Sequence, residues 1–334
     1  MASLTASLSV ALPDVTGTTG ASPAALGNRI AAAAIAAGRS DGSLEALHYI
    51  DASYTPMNAP LVLAQSGSTV HDPTFWQPLA LGQIAAHGLG AIPAKIQSFV
   101  DAQWGHVRRF ANGPRIDPGA PPFGDPSAPS YQQAAVAVIR ATAAPGAAGS
   151  LSDASPLAWN HIADTLSLGL RRDVELHLVL NGALNDAAIA VWSAKRKYQA
   201  PRPISMIRYL AFQGQSSDPK APLYASDGLP LVPGLIEMQD HRLVVREHGR
   251  WVPAARWAPP APTPASPGWV SERSAFAAAA AGVLTALTGR SFEVQAEQLG
   301  RAGVAGGIET PADETAGSKV GAAVARQALR RAAS

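Results

Sequence analysis

Apolar residues recur at helical spacing through most of this 334-residue chain. "AALGNRIAAAAIAAG", residues 24–38, predicts a helix ending at Gly38, and "SLEALHYIDASY", residues 43–54, carries the same spacing. "DPTFWQPLALGQIAAHG" reads as a turn leading into an apolar segment. Residues 131–144, 156–172 and 174–199 all have helical periodicity. "SERSAFAAAAAGVLTALTG" opens with capping residues and stops at Gly289. The tail "ADETAGSKVGAAVARQALRR" is helical, with basic residues in its last turn where the helix dipole favours them. Two stretches, residues 113–130 and 258–269, hold too much Pro and Gly for regular structure and read as loops. "DHRLVVREHGRWV", residues 240–252, reads as a basic hairpin with a solvated edge. Alternating β-branched runs are otherwise scarce. The pattern predicts an all-α fold, with a loose Ser/Thr/Gly-rich arm over residues 1–22 and one helical domain over 23–334.

Composition narrows the function classes. Hydrophobic residues make up 47 % of the chain and charged residues 15 %, enough for a sizeable core and unlike a disordered tail. The 26 basic and 24 acidic residues leave a net charge of +2, which gives no case for nucleic acid or a membrane surface as partner. With no cysteine, disulfides, thiolate metal sites and a cysteine nucleophile are excluded. The N-terminus lacks a basic region before its apolar residues, so it does not read as a signal peptide. "RIAAAAIAAG" and "FAAAAAGVLTALTG" fall short of the ~20 residues that span a bilayer. The expectation is a soluble, cytoplasmic protein.

Against this sparing use of charge, "SAKRKYQAPRPISMIR" gathers Lys195, Arg196, Lys197, Arg202 and Arg208 beside two prolines. Such a cluster is either a solvated helix end or a site built to hold an anion. Two further segments stand out with it, "PGWVSERSAFAAAAAGVLTALTG" and "AGVAGGIETPADETAGSKVG".

Taken in order, the three segments resemble the vanadium-dependent haloperoxidases, which share a fold with the type-2 phosphatidic-acid phosphatases. Members of that group carry a Lys, six residues, then Arg-Pro, matched here by Lys195 and Arg202-Pro203. Next comes a W-V-S-G-H-S-T-F-like helix start, then an S-R-x-x-G-G-I-H-x-P-A-D-like segment. The resemblance is good over residues 155–325, and "DPTFWQPL" and "WGHVRRFA" extend it back to about residue 45.

The resemblance implies that Lys195 and Arg202 neutralise the oxygens of a bound anion. Ser271 would donate to it from a helix N-terminus, where free N–H groups favour anions. The next two positions, Gly and an acid–base His in the family, are Glu272 and Arg273 here. The family's third-segment Ser and Arg fall on Ala302 and Gly303, and the His that bonds vanadium or attacks phosphorus falls on Glu309. Arg301 lies two residues from that Arg position, and Asp313 keeps the closing carboxylate. None of the eight histidines lies in the three segments. A carboxylate beside an oxyanion repels it, so neither vanadate nor another cofactor is expected.

Three readings follow. In the first, Glu309, Arg273 and Lys195 catalyse a cofactor-free rearrangement, cyclisation or isomerisation of a small organic substrate in secondary metabolism. Glu309, in a half-apolar cleft that raises its pKa, would shuttle protons, and the cations would stabilise an enolate or alkoxide. Arg202, Ser271, Glu272, Arg301, Trp257 and Trp269 would line the substrate site, the two tryptophans at its mouth. In the second, the old anion site is filled by its own salt bridges and the protein is a non-catalytic scaffold. In the third, it is a vanadium-dependent haloperoxidase or phosphatase with unusual ligands. Self-association is a further possibility that the resemblance implies. "WNHIADT" places His161 and Asp164 on one helix side, and no third ligand has suitable spacing for a metal.

Overall fold

The structure, a computed structural model, describes residues 17–82, 84–86, 90–92, 95–145, 154–213, 225 and 227–334. Most of the expected arm over residues 1–22 lies outside the described residues.

Three helices begin with the same local signal, a hydroxyl residue followed by proline. Ser22, Ser155 and Thr310 cap α1 (Pro23–Gly38), α3 (Pro156–Asp164) and α8 (Pro311–Ala332). Each side-chain oxygen accepts an otherwise orphan backbone N–H, and proline at the first turn loses no bond. Thr310 and Asp313 complete a reciprocal capping box. The remaining helices are α2 (Pro129–Thr142), α4 (Leu170–Tyr198), α5 (Pro203–Phe212), α6 (Glu272–Thr288) and α7 (Glu293–Ala305). Ser271 caps α6, and Gly289 ends it in the left-handed conformation (φ 72°).

The 29-residue α4 is the central helix, burying Leu176, Val179, Leu180, Ala183, Leu184, Ala187 and Val191. It packs on α6 and α8. α6 and α8 approach unusually closely because glycines face the seam. A Cβ on Gly321 would lie 2.2 Å from the Ala275 carbonyl oxygen, and one on Gly317 would lie 2.4 Å from that of Ser271. This seam carries the N-termini of both helices to one place. The span Leu170–Phe212 is long and apolar enough to cross a bilayer by length and composition, a feature the two alanine-rich runs do not reveal. Yet 56 % of its apolar window is buried inside the protein.

The all-α expectation holds for the bundle and not for the whole chain. β6 (Ile236–Gln239), β7 (Arg242–Glu247) and β8 (Arg250–Pro253) form an antiparallel meander. The β7–β8 turn, His248-Gly249, has positive φ at both residues, the twist that suits a tight hairpin. A small sheet of order β1–β2–β5 joins Leu61–Val62, Leu79–Leu81 and Lys95–Ile96, and β3 (Ile84–Ala86) pairs with β4 (Gly90–Ile92). Strands of two or three residues are too short to leave an alternating pattern.

Two helix expectations also need correction. Residues 43–54 form only a 3₁₀ turn, Glu45–Leu47, flanked by left-handed Leu44, His48 and Tyr49. Leu47, Tyr49 and Ile50 are exposed, so no buried face rewards a longer helix. The helix expected over 156–172 stops at Asp164, because the positive φ of Ser167 and Gly169 turns the chain into α4. Helices α5 and α7 had not been expected.

Candidate functional site

Lys195 sits in the last turn of α4, which ends at left-handed Gln199, and Arg202 occupies the N-cap of α5. Both side chains are buried. The loop before α6 supplies their acceptors. The Lys195 Nζ donates to the carbonyls of Pro267 (2.7 Å) and Gly268 (2.6 Å), and it lies 2.9 Å from the Glu272 Oε2. Two carbonyls accept from this nitrogen and the Glu272 carboxylate lies beside it, a setting that favours the ammonium form. Arg202 donates from Nε to the Ser266 carbonyl (2.9 Å), and through its terminal nitrogens to the Ser266 Oγ (3.0 Å) and the Ile308 carbonyl (3.0 Å).

Ser271 is turned into its own helix. Its Oγ accepts from the Ser274 N–H (3.0 Å) and donates to the Ser274 Oγ (3.0 Å), while its backbone N–H donates to the Asp313 carbonyl (3.1 Å). That last bond ties the second and third segments together. Glu272, 17 % exposed, faces Lys195. Burial pushes its carboxyl upward, but Lys195 and Arg202 outweigh this and hold it at about 2. Lys195 is pulled below its ordinary value by burial, with Glu272 opposing.

Glu309 completes the cluster from the short link between α7 and α8. It is buried, and neither carboxyl oxygen accepts a hydrogen bond from a described residue. Its Oε2 fills the space where a side chain at Gly303 would begin, 1.9 Å from an ideal Cβ there. Burial raises the carboxyl to about 7, with Glu272 and Asp313 adding to the shift and Arg202 and Lys195 opposing it. Asp313, also raised by burial, keeps one oxygen on the Thr310 N–H (2.7 Å) and hydroxyl (2.8 Å).

The three segments therefore converge. Lys195, Arg202, Ser271, Glu272 and Glu309 meet, with Arg273 half-buried one residue further along α6. Two expected members do not join them. Arg301 lies on the outer face of α7, largely exposed, and pairs with Glu297 (3.4 Å). Trp257 is fully buried in the core, where its carbonyl accepts from Arg208. Trp269 does line a cavity, of about 620 Å³, with Pro311, Ala312 and Lys319. Its Nε1 donates to the Gly119 carbonyl (2.8 Å). Lys195, Arg202, Glu272 and Glu309 do not line this cavity.

The other cations of the opening cluster have structural work. Arg196 pairs with Asp51, Lys197 pairs with Asp117, and Arg208 donates to four backbone carbonyls. Sequence reasoning missed Ser266, whose only signal is its place in the Pro-rich loop. It also missed the Gly303–Glu309 contact, legible only as two departures from one motif. His161 and Asp164 do sit together (3.9 Å), joined across helices by His177 at 3.2 Å from Asp164. Among the described residues no His, Asp or Glu group is arranged to hold a metal ion.

Comparison with known proteins agrees with this fold. Residues 175–298 match the family model described as the VCPO second helical-bundle domain. The chain matches a holo-type bacterial vanadium-dependent chloroperoxidase over 99 % of its own length and 77 % of that chain, at TM-score 0.74 and 16 % identity. The apo-type bacterial enzyme gives 0.73 and 15 % identity over 99 % of this chain and 80 % of that one. A bacterial vanadium-dependent iodoperoxidase matches at 0.51 and 16 % identity, covering 78 % of this chain and 61 % of that one. No curated protein sequence matches. The chain therefore has the fold of the vanadium-dependent chloroperoxidases, and its residues 175–298 resemble their second helical-bundle domain.

The matched solved structures are of vanadium-dependent enzymes, and the residues present here do not fit vanadate. The Glu309 carboxyl stands where the resemblance would place a metal-binding histidine, and Glu272 is held ionised near it. The Lys195 ammonium and all three Arg202 nitrogens already donate to protein acceptors.

Proposed function

We propose that this protein is a haloperoxidase homologue whose anion pocket is closed by its own charges, so that it neither oxidises halides nor hydrolyses phosphate esters. The observation carrying this reading is the internal satisfaction of Lys195 and Arg202, with the Glu309 carboxyl packed into the space at Gly303. An anion entering here would have to displace two backbone carbonyls from Lys195 and lie beside Glu272, a cost no surface ion would offset. The test is turnover. Purified protein with vanadate, bromide and peroxide should not brominate a phenol indicator above a protein-free control, and it should release no phosphate from an aryl phosphate. Turnover in either assay, lost on Lys195→Met, would refute the proposal.

A second reading is favoured by one observation. A carboxyl held near 7 with no hydrogen-bond partner is suited to carrying protons at neutral pH. Glu309 would then serve a cofactor-free rearrangement of a small organic molecule. Glu309→Gln should then cost about 10²–10⁴ in rate on the true substrate. Accumulation of no metabolite on deletion of the gene would count against it.

A further inference from the structure

The cleft of about 620 Å³ at Trp269 lies between the Pro-rich loop over residues 113–130 and the first turns of α8. Its walls are apolar: Ile116 and Pro118 from the loop, Trp269 from the segment before α6, and Pro311, Ala312 and Val320 on α8. The volume suits one small organic molecule. Trp269 is already fixed in place. Its Nε1 donates to the Gly119 carbonyl (2.8 Å), and its ring stands at 90° to that of Phe123, with 6.2 Å between centroids. An aromatic surface held this way needs no ordering when a ligand arrives.

Two charged side chains reach the cleft, Asp117 and Lys319, and only one of them is matched. The Asp117 Oδ1 accepts from the Tyr198 hydroxyl (2.7 Å) and the Gly119 N–H (2.9 Å), and its Oδ2 pairs with Lys197. The bond from Lys197 holds this carboxyl below its ordinary value. These bonds also pin the loop, so the cleft is formed in advance. Lys319 is exposed on α8 and makes no ion pair or hydrogen bond with a described residue. Glu314 lines the neighbouring groove, which Lys319 also borders, but the two do not pair within 4 Å. The lining is thus an apolar box with one uncompensated positive charge at its edge.

We propose that this cleft binds a planar aromatic carboxylate, its rings against Trp269 and the flanking prolines and its carboxylate on the Lys319 ammonium. An anion meets no unmatched negative charge here, whereas an organic cation would face Lys319. The planar indole and the prolines favour a flat aromatic body over an alkyl chain. The site stands apart from the buried charge cluster, and a ligand bound here leaves Lys195 and Arg202 on their own acceptors.

Isothermal titration with 2-naphthoate tests the proposal, with 2-naphthylmethanol and 2-naphthylmethylammonium as the neutral and cationic probes. 2-Naphthoate should bind one-to-one with a dissociation constant below about 1 mM. The alcohol should bind about fivefold more weakly, and the ammonium more weakly still. Lys319→Ala, at an exposed position, should leave the melting temperature unchanged and erase the difference between acid and alcohol. Ala312→Trp should fill the cleft and abolish saturable binding of all three probes. Thr315→Trp, one turn further along α8, should give the same block from an exposed position. No saturable heat from 2-naphthoate at its solubility limit would overturn the proposal. So would equal affinity for acid and alcohol in the wild type, tighter binding of the ammonium, or an acid preference that survives Lys319→Ala. Binding that survives both tryptophan variants and is lost on Lys195→Met would place the acid in the charge cluster, overturning this site and the closure of that cluster together.

Discussion

Replacing Glu309 with Gln should stabilise this protein at alkaline pH. The intuitive expectation is the opposite, since Glu309 lies near two cations. The structure decides between them. Lys195 already has Glu272 and two carbonyls, and Arg202 already has Ser266 and Ile308. Glu309 makes no ion pair within 4 Å among the described residues, and burial lifts its carboxyl from 4.5 to about 7. A carboxyl raised on folding contributes its full stability below the unfolded value and loses it as pH rises through the folded value. The loss therefore begins near 4.5 and is complete just above 7. At about 1.4 kcal/mol per pH unit this is at most about 3 kcal/mol, less wherever water reaches the site. Gln cannot ionise, so the variant should match wild type at pH 4.5 and exceed it by about 1–3 kcal/mol at pH 8. Urea unfolding of both proteins across this range measures the difference directly, and groups common to both cancel. A variant less stable than wild type at pH 8 would refute the reasoning, because it would mean that an ionised Glu309 balances Lys195 and Arg202.

Glu272→Gln should behave in the contrary way, stranding the buried Lys195 ammonium and costing about 2–4 kcal/mol at pH 7 in the same unfolding assay. Its carboxyl is held at about 2, so the contribution of the pair is present above 4.5 and is lost as pH falls toward 2. Gly303→Ala should lower the melting temperature by several degrees, because its Cβ would meet the Glu309 carboxyl at 1.9 Å. Adding Glu309→Ala should recover most of that loss, and failure to recover would place the clash elsewhere. Gly321→Ala, at the α6–α8 seam, should cost about 1–3 kcal/mol through overpacking against the Ala275 carbonyl.

Much of the bundle was legible because its signals are local. Ser22-Pro23, Thr310-Pro311 and Gly289 mark helix ends by geometry that any helix must satisfy. α5 escaped notice because Pro201 and Pro203 looked like loop and only ten residues follow the second. The meander was read as a hairpin, but short strands add little to a pattern dominated by alanine. At the site, the motif order singles out Lys195, Arg202, Ser271, Glu272 and Glu309, which the fold places near one another. What spacing could not convey is who satisfies whom. The carbonyls of Pro267 and Gly268 take up Lys195, and no residue type announces a backbone oxygen. Arg301 failed as a candidate because a helix surface is set by 100° steps, and its step carries it outward to Glu297.

If the protein's own charges close the site, Lys195 and Arg202 keep their donors on protein acceptors and offer none to an added anion. Isothermal titration of the purified protein with orthovanadate, repeated with inorganic phosphate, measures this. Neither ion should give saturable heat up to millimolar concentration at pH 7. A one-to-one isotherm with micromolar affinity, weakened by salt and lost on Lys195→Met, would contradict it.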